Sequence, residues 1–250
     1  MLIRSEMIKI RHNFVLWLIL LAGLTVPLLV TFDFIDHAKD ISGFHSNPWN
    51  NLWGETIRGF VVFIGPFVIV MLTCMFMNIE HKYNAWKYML TLPQKKSSLY
   101  LNKLLMNLLL LLLLYLLFLL FFFLSGLFLA WRYPAMGFLV YRPEYSSIFY
   151  LAFRSLLSFL GILAIHFWLS IRIKNMFVNI GIGLLCIFVS VMLFKKMDKL
   201  VGYPYEDGLL TVFQTNPQQG LLAKSEIRSL LYFLLIVIAG YWDFVKRFKG

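Results

Sequence analysis

Charge is scarce in this chain. Only 14% of its 250 residues are Asp, Glu, Lys or Arg, while 60% are hydrophobic and the mean hydropathy is +0.77. A water-soluble domain of this length needs more charge than that to clothe its surface, so a soluble enzyme is excluded. Cysteine is scarce too. Cys74 and Cys186 stand alone in apolar runs, which excludes a disulfide framework or a CxxC metal site and leaves them as small core residues. No GxxxxGK[ST] occurs, so the usual cradle for ATP phosphates is missing. No acid falls in the interior of any long apolar run and no paired catalytic residues share membrane depth, which argues against a proton relay and against an intramembrane enzyme. No small-x-small cleavage pattern follows the first apolar run, which is therefore expected to stay as a helix. The one surplus is positive charge, +11 from 23 basic and 12 acidic residues. In so apolar a chain that surplus points to basic cytoplasmic loops and not to nucleic acid.

What is abundant is long apolar sequence. A hydrocarbon core about 30 Å thick takes roughly 20 residues per helical crossing. Six segments meet that requirement: Phe14–Phe32, Ile57–Ile79, Leu104–Trp131, Ile148–Ile171, Met176–Phe194 and Ile227–Val245. The third carries no charge and is longer than the bilayer is thick, so it must tilt or project. The sixth is the weakest, because Arg228 and Asp243 flank its apolar centre. The expected fold is all-α, a polytopic bundle of six transmembrane helices forming one domain over residues 1–250.

The charges orient it. The N-terminus, the second and fourth loops and the tail together hold 13 basic residues against three acids, Glu6, Glu80 and Asp243. The other side holds 10 basic and nine acidic residues over longer loops. Basic density retains loops in the cytoplasm, so both termini are expected inside.

Residues 1–13, MLIRSEMIKIRHN, mix apolar side chains with Arg4, Lys9 and Arg11, the pattern of a short amphipathic helix lying in the interface. The second loop, residues 80–103, is the most patterned. Tyr83, Trp86, Met89 and Leu90 recur at helical spacing, with Lys82 and Lys87 among them. Pro93 stops that helix, and Lys95 and Lys96 make a basic turn after it. Such a helix offers either an aromatic-topped surface for a cytoplasmic partner or an interfacial anchor whose lysines snorkel to anionic lipid. The outer loops, residues 33–56 and 195–226, are the longest connections. Gly208–Phe213 in the latter is apolar enough to dip into the interface or pack on the helices.

The basic N-terminal segment, and a second helix followed by a glutamate, a Lys/Trp-rich turn, a "TLP" and two lysines, resemble the permease subunits of bacterial ABC exporters of the lantibiotic-immunity and multidrug type. The resemblance implies that residues 1–13 form an elbow helix, with Glu6, Lys9 and Arg11 as its candidates. It also implies that the second loop docks on an ATPase. The coupling candidates are Glu80, Lys82, Tyr83, Trp86, Lys87, Leu92, Pro93, Lys95 and Lys96. It further implies a cytoplasmic ABC ATPase partner that carries ATP and Mg, no cofactor on this chain, and a second permease, identical or related. The setting implied is a bacterial inner membrane, with an amphipathic cargo: a peptide antibiotic, a lipid-like molecule or a drug. A non-transporting anchor or scaffold of an envelope complex is the alternative reading.

Two ionisable residues lie inside the fourth segment, where an unpaired charge is costly, and are transport-path candidates. Arg154, about two turns from the outer end, is close enough to snorkel outward. His166 sits near the inner end beside Trp168, a common interfacial position. Asp33, Asp36, His37, Asp40 and His45 in the first outer loop read as a solvated acidic cap, since no second ligand pair closes a tetrahedral metal shell. Pro27 and Gly65–Pro66 sit inside the first and second helices and are expected to kink them.

Overall fold

The computed structural model describes residues 14–36, 47–82, 86, 91, 95–194, 202–214 and 222–247. The elbow segment 1–13 with Glu6, Lys9 and Arg11 lies outside the described residues, as do Tyr83, Lys87, Leu92 and Pro93. Among the described residues the chain is helix and turn without strand. That follows from lipid, which satisfies no backbone polar group and so leaves the helix to bond itself. In chain order the helices are α1 (Val15–Asp36), α2 (Pro48–Gly59), α3 (Gly65–Lys82), α4 (Lys96–Arg132), α5 (Tyr145–Ser158), α6 (Leu160–Arg172), α7 (Met176–Phe194), α8 (Asp207–Phe213) and α9 (Lys224–Arg247).

Six stretches are long and apolar enough to cross a membrane: Val15–Asp36, Pro48–Lys82, Lys96–Arg132, Tyr145–Arg172, Met176–Phe194 and Lys224–Lys246. Each contains the expected segment or most of it, and several extend well past it. The second begins nine residues before Ile57, because Asn47 accepts the Trp49 N–H at 3.1 Å and Pro48 fills the first helical turn, a strong start signal. The third begins at Lys96 and runs for 37 residues, about 55 Å at 1.5 Å each. The second and fourth spans are the central ones, 67% and 61% buried over their apolar windows, against 33% for the third and 22% for the fifth.

Three irregularities meet inside the bundle. Between α2 and α3, Phe60–Ile64 forms a π-turn in which the Gly65 N–H bonds Phe60 O, and Pro66 next to it has no N–H to restore the ordinary ladder. The fourth span breaks at Phe159, between α5 and α6. The chain between the fifth and sixth spans turns back into the bundle through Gly202 (φ +115°), the short turn Pro204–Glu206 and α8, whose Leu209 and Val212 are buried. Phe159 is the common neighbour. A Cβ at Gly65 would stand 2.9 Å from its ring, and one at Gly208 2.5 Å from it. Only glycine lets the re-entrant helix and the π-turn approach that ring so closely.

Candidate functional site

Four spans converge at the end of the bundle that carries the second loop. Glu80 in the last turn of α3 is fully buried and bonds Lys103 of α4 at 2.6 Å, and the Lys103 ammonium lies 4.7 Å from the Phe76 ring. Two buried charges hold only as a pair, since each alone would forfeit its hydration. His81 Nε2–H donates to Ser170 O of α6 at 2.7 Å, fixing the end of the second span to the fourth. Trp86 is 3% exposed and sits between His81 and Phe244 of α9, with ring centroids 6.0 and 5.6 Å away. Tyr100 continues the cluster against Phe167, Tyr241 and Phe244, and donates to Val237 O at 2.9 Å. Arg172 forks onto Asp243, which also accepts from Trp168 Nε1 at 3.1 Å.

The coupling candidates therefore divide. Lys82 and Lys95 are exposed and Lys96 is half-buried at the start of the third span. Glu80 and Trp86 face inward. Trp86 does not top an exposed surface, as helical spacing alone suggests, because His81 and Phe244, at the ends of the second and sixth spans, offer its indole aromatic partners.

A second polar system runs through the bundle interior. Arg154 is 4% exposed and does not snorkel outward. It bonds the fully buried Glu226 at the start of α9 through Nε and a terminal nitrogen, both at 2.9 Å, with the Tyr150 ring 5.3 Å from its guanidinium carbon. Glu226 reads as a loop residue in the sequence, one position before the apolar run of the last span. Its pairing is visible only once the fourth and sixth spans are side by side. Arg228, two residues further along α9, bonds Asp207 of α8 through Nε at 2.7 Å. Outside the spans, burial pushes the Asp207 carboxyl up to about 7 from 3.8, against the opposing pull of Arg228, and burial likewise raises Glu206. At the break in the fourth span, Ser229 Oγ accepts the Gly161 N–H at 3.0 Å and donates to Ser158 O at 2.9 Å. One hydroxyl from the last span thus satisfies both sides of the gap.

His166 is fully buried and is not an interfacial histidine. Asn179 Nδ2 donates to Ser170 Oγ at 2.6 Å, so its Oδ1 accepts from His166 Nδ1–H at 2.9 Å. That leaves His166 Nε2 to accept from the Tyr205 hydroxyl at 2.7 Å, and Ser170 Oγ to donate to Cys74 Sγ at 3.6 Å. The chain joins the re-entrant segment to the second, fourth and fifth spans. Arg154 and His166 are thus not brought together, and each belongs to a separate polar cluster. Among the described residues no group of three His, Cys, Asp or Glu side chains is placed to hold a metal.

No curated protein and no solved structure matches the chain. A family model does, over residues 2–190, which is more than half of the sequence, and that stretch takes in the first four spans, most of the fifth and the whole second loop. By this match the chain, a helical membrane protein with six potential crossings, belongs to the ABC-2 family transporter proteins.

Proposed function

We propose that this chain is the permease subunit of an ATP-driven exporter in a bacterial cell membrane, with both termini cytoplasmic. It pairs with a second permease and with a separate ABC ATPase that carries ATP and Mg. The cargo is amphipathic: a peptide antibiotic, a lipid-like molecule or a drug. Membership of the ABC-2 transporter family supports a transport role, and the absence of a phosphate-cradling motif fits a division of labour between two chains.

The observation that carries the reading is the aromatic junction at the inner end. Trp86 ties the basic second loop to His81 of the second span and Phe244 of the sixth. A push on that loop therefore reaches both spans through packed rings. The exposed Lys82 and Lys95, with Lys96, supply charge for an acidic docking groove, while Trp86 passes the displacement inward. The elbow residues Glu6, Lys9 and Arg11 and the loop residues Tyr83, Lys87, Leu92 and Pro93 keep the roles the resemblance implies. Arg154 and His166 hold the outer and inner polar clusters that must rearrange if the bundle opens a path.

The test is reconstitution in lipid. The chain alone should show no ATP turnover above background, and adding its ATPase should produce turnover that Lys95→Glu with Lys96→Glu reduces. Hydrolysis by the chain alone overturns the reading. An ATPase that binds while no amphipathic compound moves would favour the scaffold alternative.

A further inference from the structure

The first and third spans run parallel and touch closely at one point. A Cβ on Gly23 would stand 3.2 Å from Phe118 N and 3.3 Å from Leu117 Cβ. Beyond that contact, towards the C-terminal ends of both helices, a cavity of about 420 Å³ opens between them, lined by Leu24, Leu28, Phe32, Phe121, Leu124 and Phe128. Pro27 lies at the start of this stretch and has no N–H to bond the Gly23 carbonyl four residues back. We propose that this groove binds one hydrocarbon chain of a zwitterionic phospholipid, held in the leaflet that contains the C-terminal ends of these two spans.

The dimensions select the occupant. Residues 24–35 cover roughly 17 Å of helix, about the depth of one leaflet's hydrocarbon. The cavity volume spread over that length averages about 25 Å² in cross-section, whereas a helix about 10 Å across needs about 80 Å². Inside the groove there is width for a single extended chain and not for a helix. The lining also rejects polar ligands. The Thr31 hydroxyl is already committed to Pro27 O at 2.6 Å, and Ser125, half-buried at the edge, is the other polar side chain there. A peptide or headgroup in the groove would lose water without gaining partners.

The two ends of the groove make it a site and not merely a stretch of lipid-facing surface. The Gly23 contact closes the end at mid-bilayer. At the mouth, the exposed Arg132 follows Phe128 by four residues and so shares its helix face, while the exposed Asp36 ends α1. With the exposed Asp33 in the same last turn of α1, and the Arg132 guanidinium over the Tyr133 ring, both signs of charge stand at headgroup level, which suits a phosphate and an amine.

The experiment uses the full chain in phosphatidylcholine vesicles carrying trace phosphatidylethanolamine with a photoactivatable acyl chain. After irradiation, labelled peptides are mapped by mass spectrometry. Label should concentrate severalfold on residues 24–35 and 121–128 over Leu112 and Leu116, which are equally exposed on the third span (47% and 56%). Ser125→Trp and, from the facing helix, Leu28→Trp should each empty the groove of label, while Leu116→Trp leaves it. Label spread evenly over exposed apolar residues, or label that persists in both groove-filling variants, overturns the proposal. No ATP or ATPase is involved, so failure here leaves the permease reading to its own test.

Discussion

Trp86 and Phe244 meet ring to ring, centroids 5.6 Å apart and planes at 62°, although 158 residues separate them. The contact makes the segment after the second span part of the bundle and not an appendage to it. Trp86→Ala should therefore destabilise the protein by about 3–5 kcal/mol, as for other buried aromatic truncations, while Trp86→Phe keeps most of the packing. Thermal unfolding in detergent reads the first effect. Retention of the ATPase on the purified Trp86→Phe chain shows whether docking survives when the junction is kept.

The Arg154–Glu226 pair is a double-mutant problem. Arg154→Met or Glu226→Leu alone leaves one buried charge without its partner, at a cost of about 3–5 kcal/mol each. The double variant should recover much of that loss, because an apolar pair replaces an ion pair in apolar surroundings. Additive losses in unfolding measurements would show that the two side chains act separately.

The fit of Gly208 on Phe159 predicts a suppressor. Gly208→Val places branched carbons where the Phe159 ring stands and should cost about 1–3 kcal/mol by overpacking. Adding Phe159→Leu, which vacates that space, should restore part of the unfolding temperature. No recovery would mean that the re-entrant helix is held by other contacts.

Asp207 should make stability depend on pH. Burial holds its carboxyl at about 7 in the folded protein, above its ordinary 3.8. Protonation is thus favoured by folding, and the contribution is complete below about pH 4 and lost as pH rises through 7. The unfolding temperature of the wild type should fall from pH 5 to pH 8 relative to Asp207→Asn. Parallel curves would remove Asp207 as the titrating group.

Orientation is tested by cysteine labelling from outside intact cells, with Cys74 and Cys186 replaced. Leu139→Cys, in the turn between the third and fourth spans and 72% exposed, should react. Lys174→Cys, exposed between the fourth and fifth spans, should not. The reverse pattern would place both termini outside.

Much of the architecture is legible in the residues alone, because the bilayer imposes a one-dimensional rule. A run of about 20 apolar residues must cross, and the six runs that satisfy the rule are the six spans. Their ends are less legible. Pro48 and Asn47 carry start signals, yet the polar Asn50, Asn51 and Glu55 of α2 look like loop until the helix is seen to cap the bundle through Trp49 and Trp53. The candidate sites are legible only as residue types. That Trp86, Arg154 and His166 are unusual where they stand can be read from composition around them. What each touches cannot.

The sequence by itself determined the class, the number of crossings and the irregularity at Gly65–Pro66, since each depends on local composition or on proline and glycine. The break at Phe159 carries no such signal, and α1 runs unbroken through Pro27. Only the tertiary structure decided that Trp86 turns inward to Phe244, that Arg154 finds Glu226, and that Tyr205 returns from the last long loop to His166. Those pairings join residues 39 to 158 positions apart. They exist because a charge or an indole buried among helices must take whatever partner the packing brings beside it, and packing is set by all the spans together.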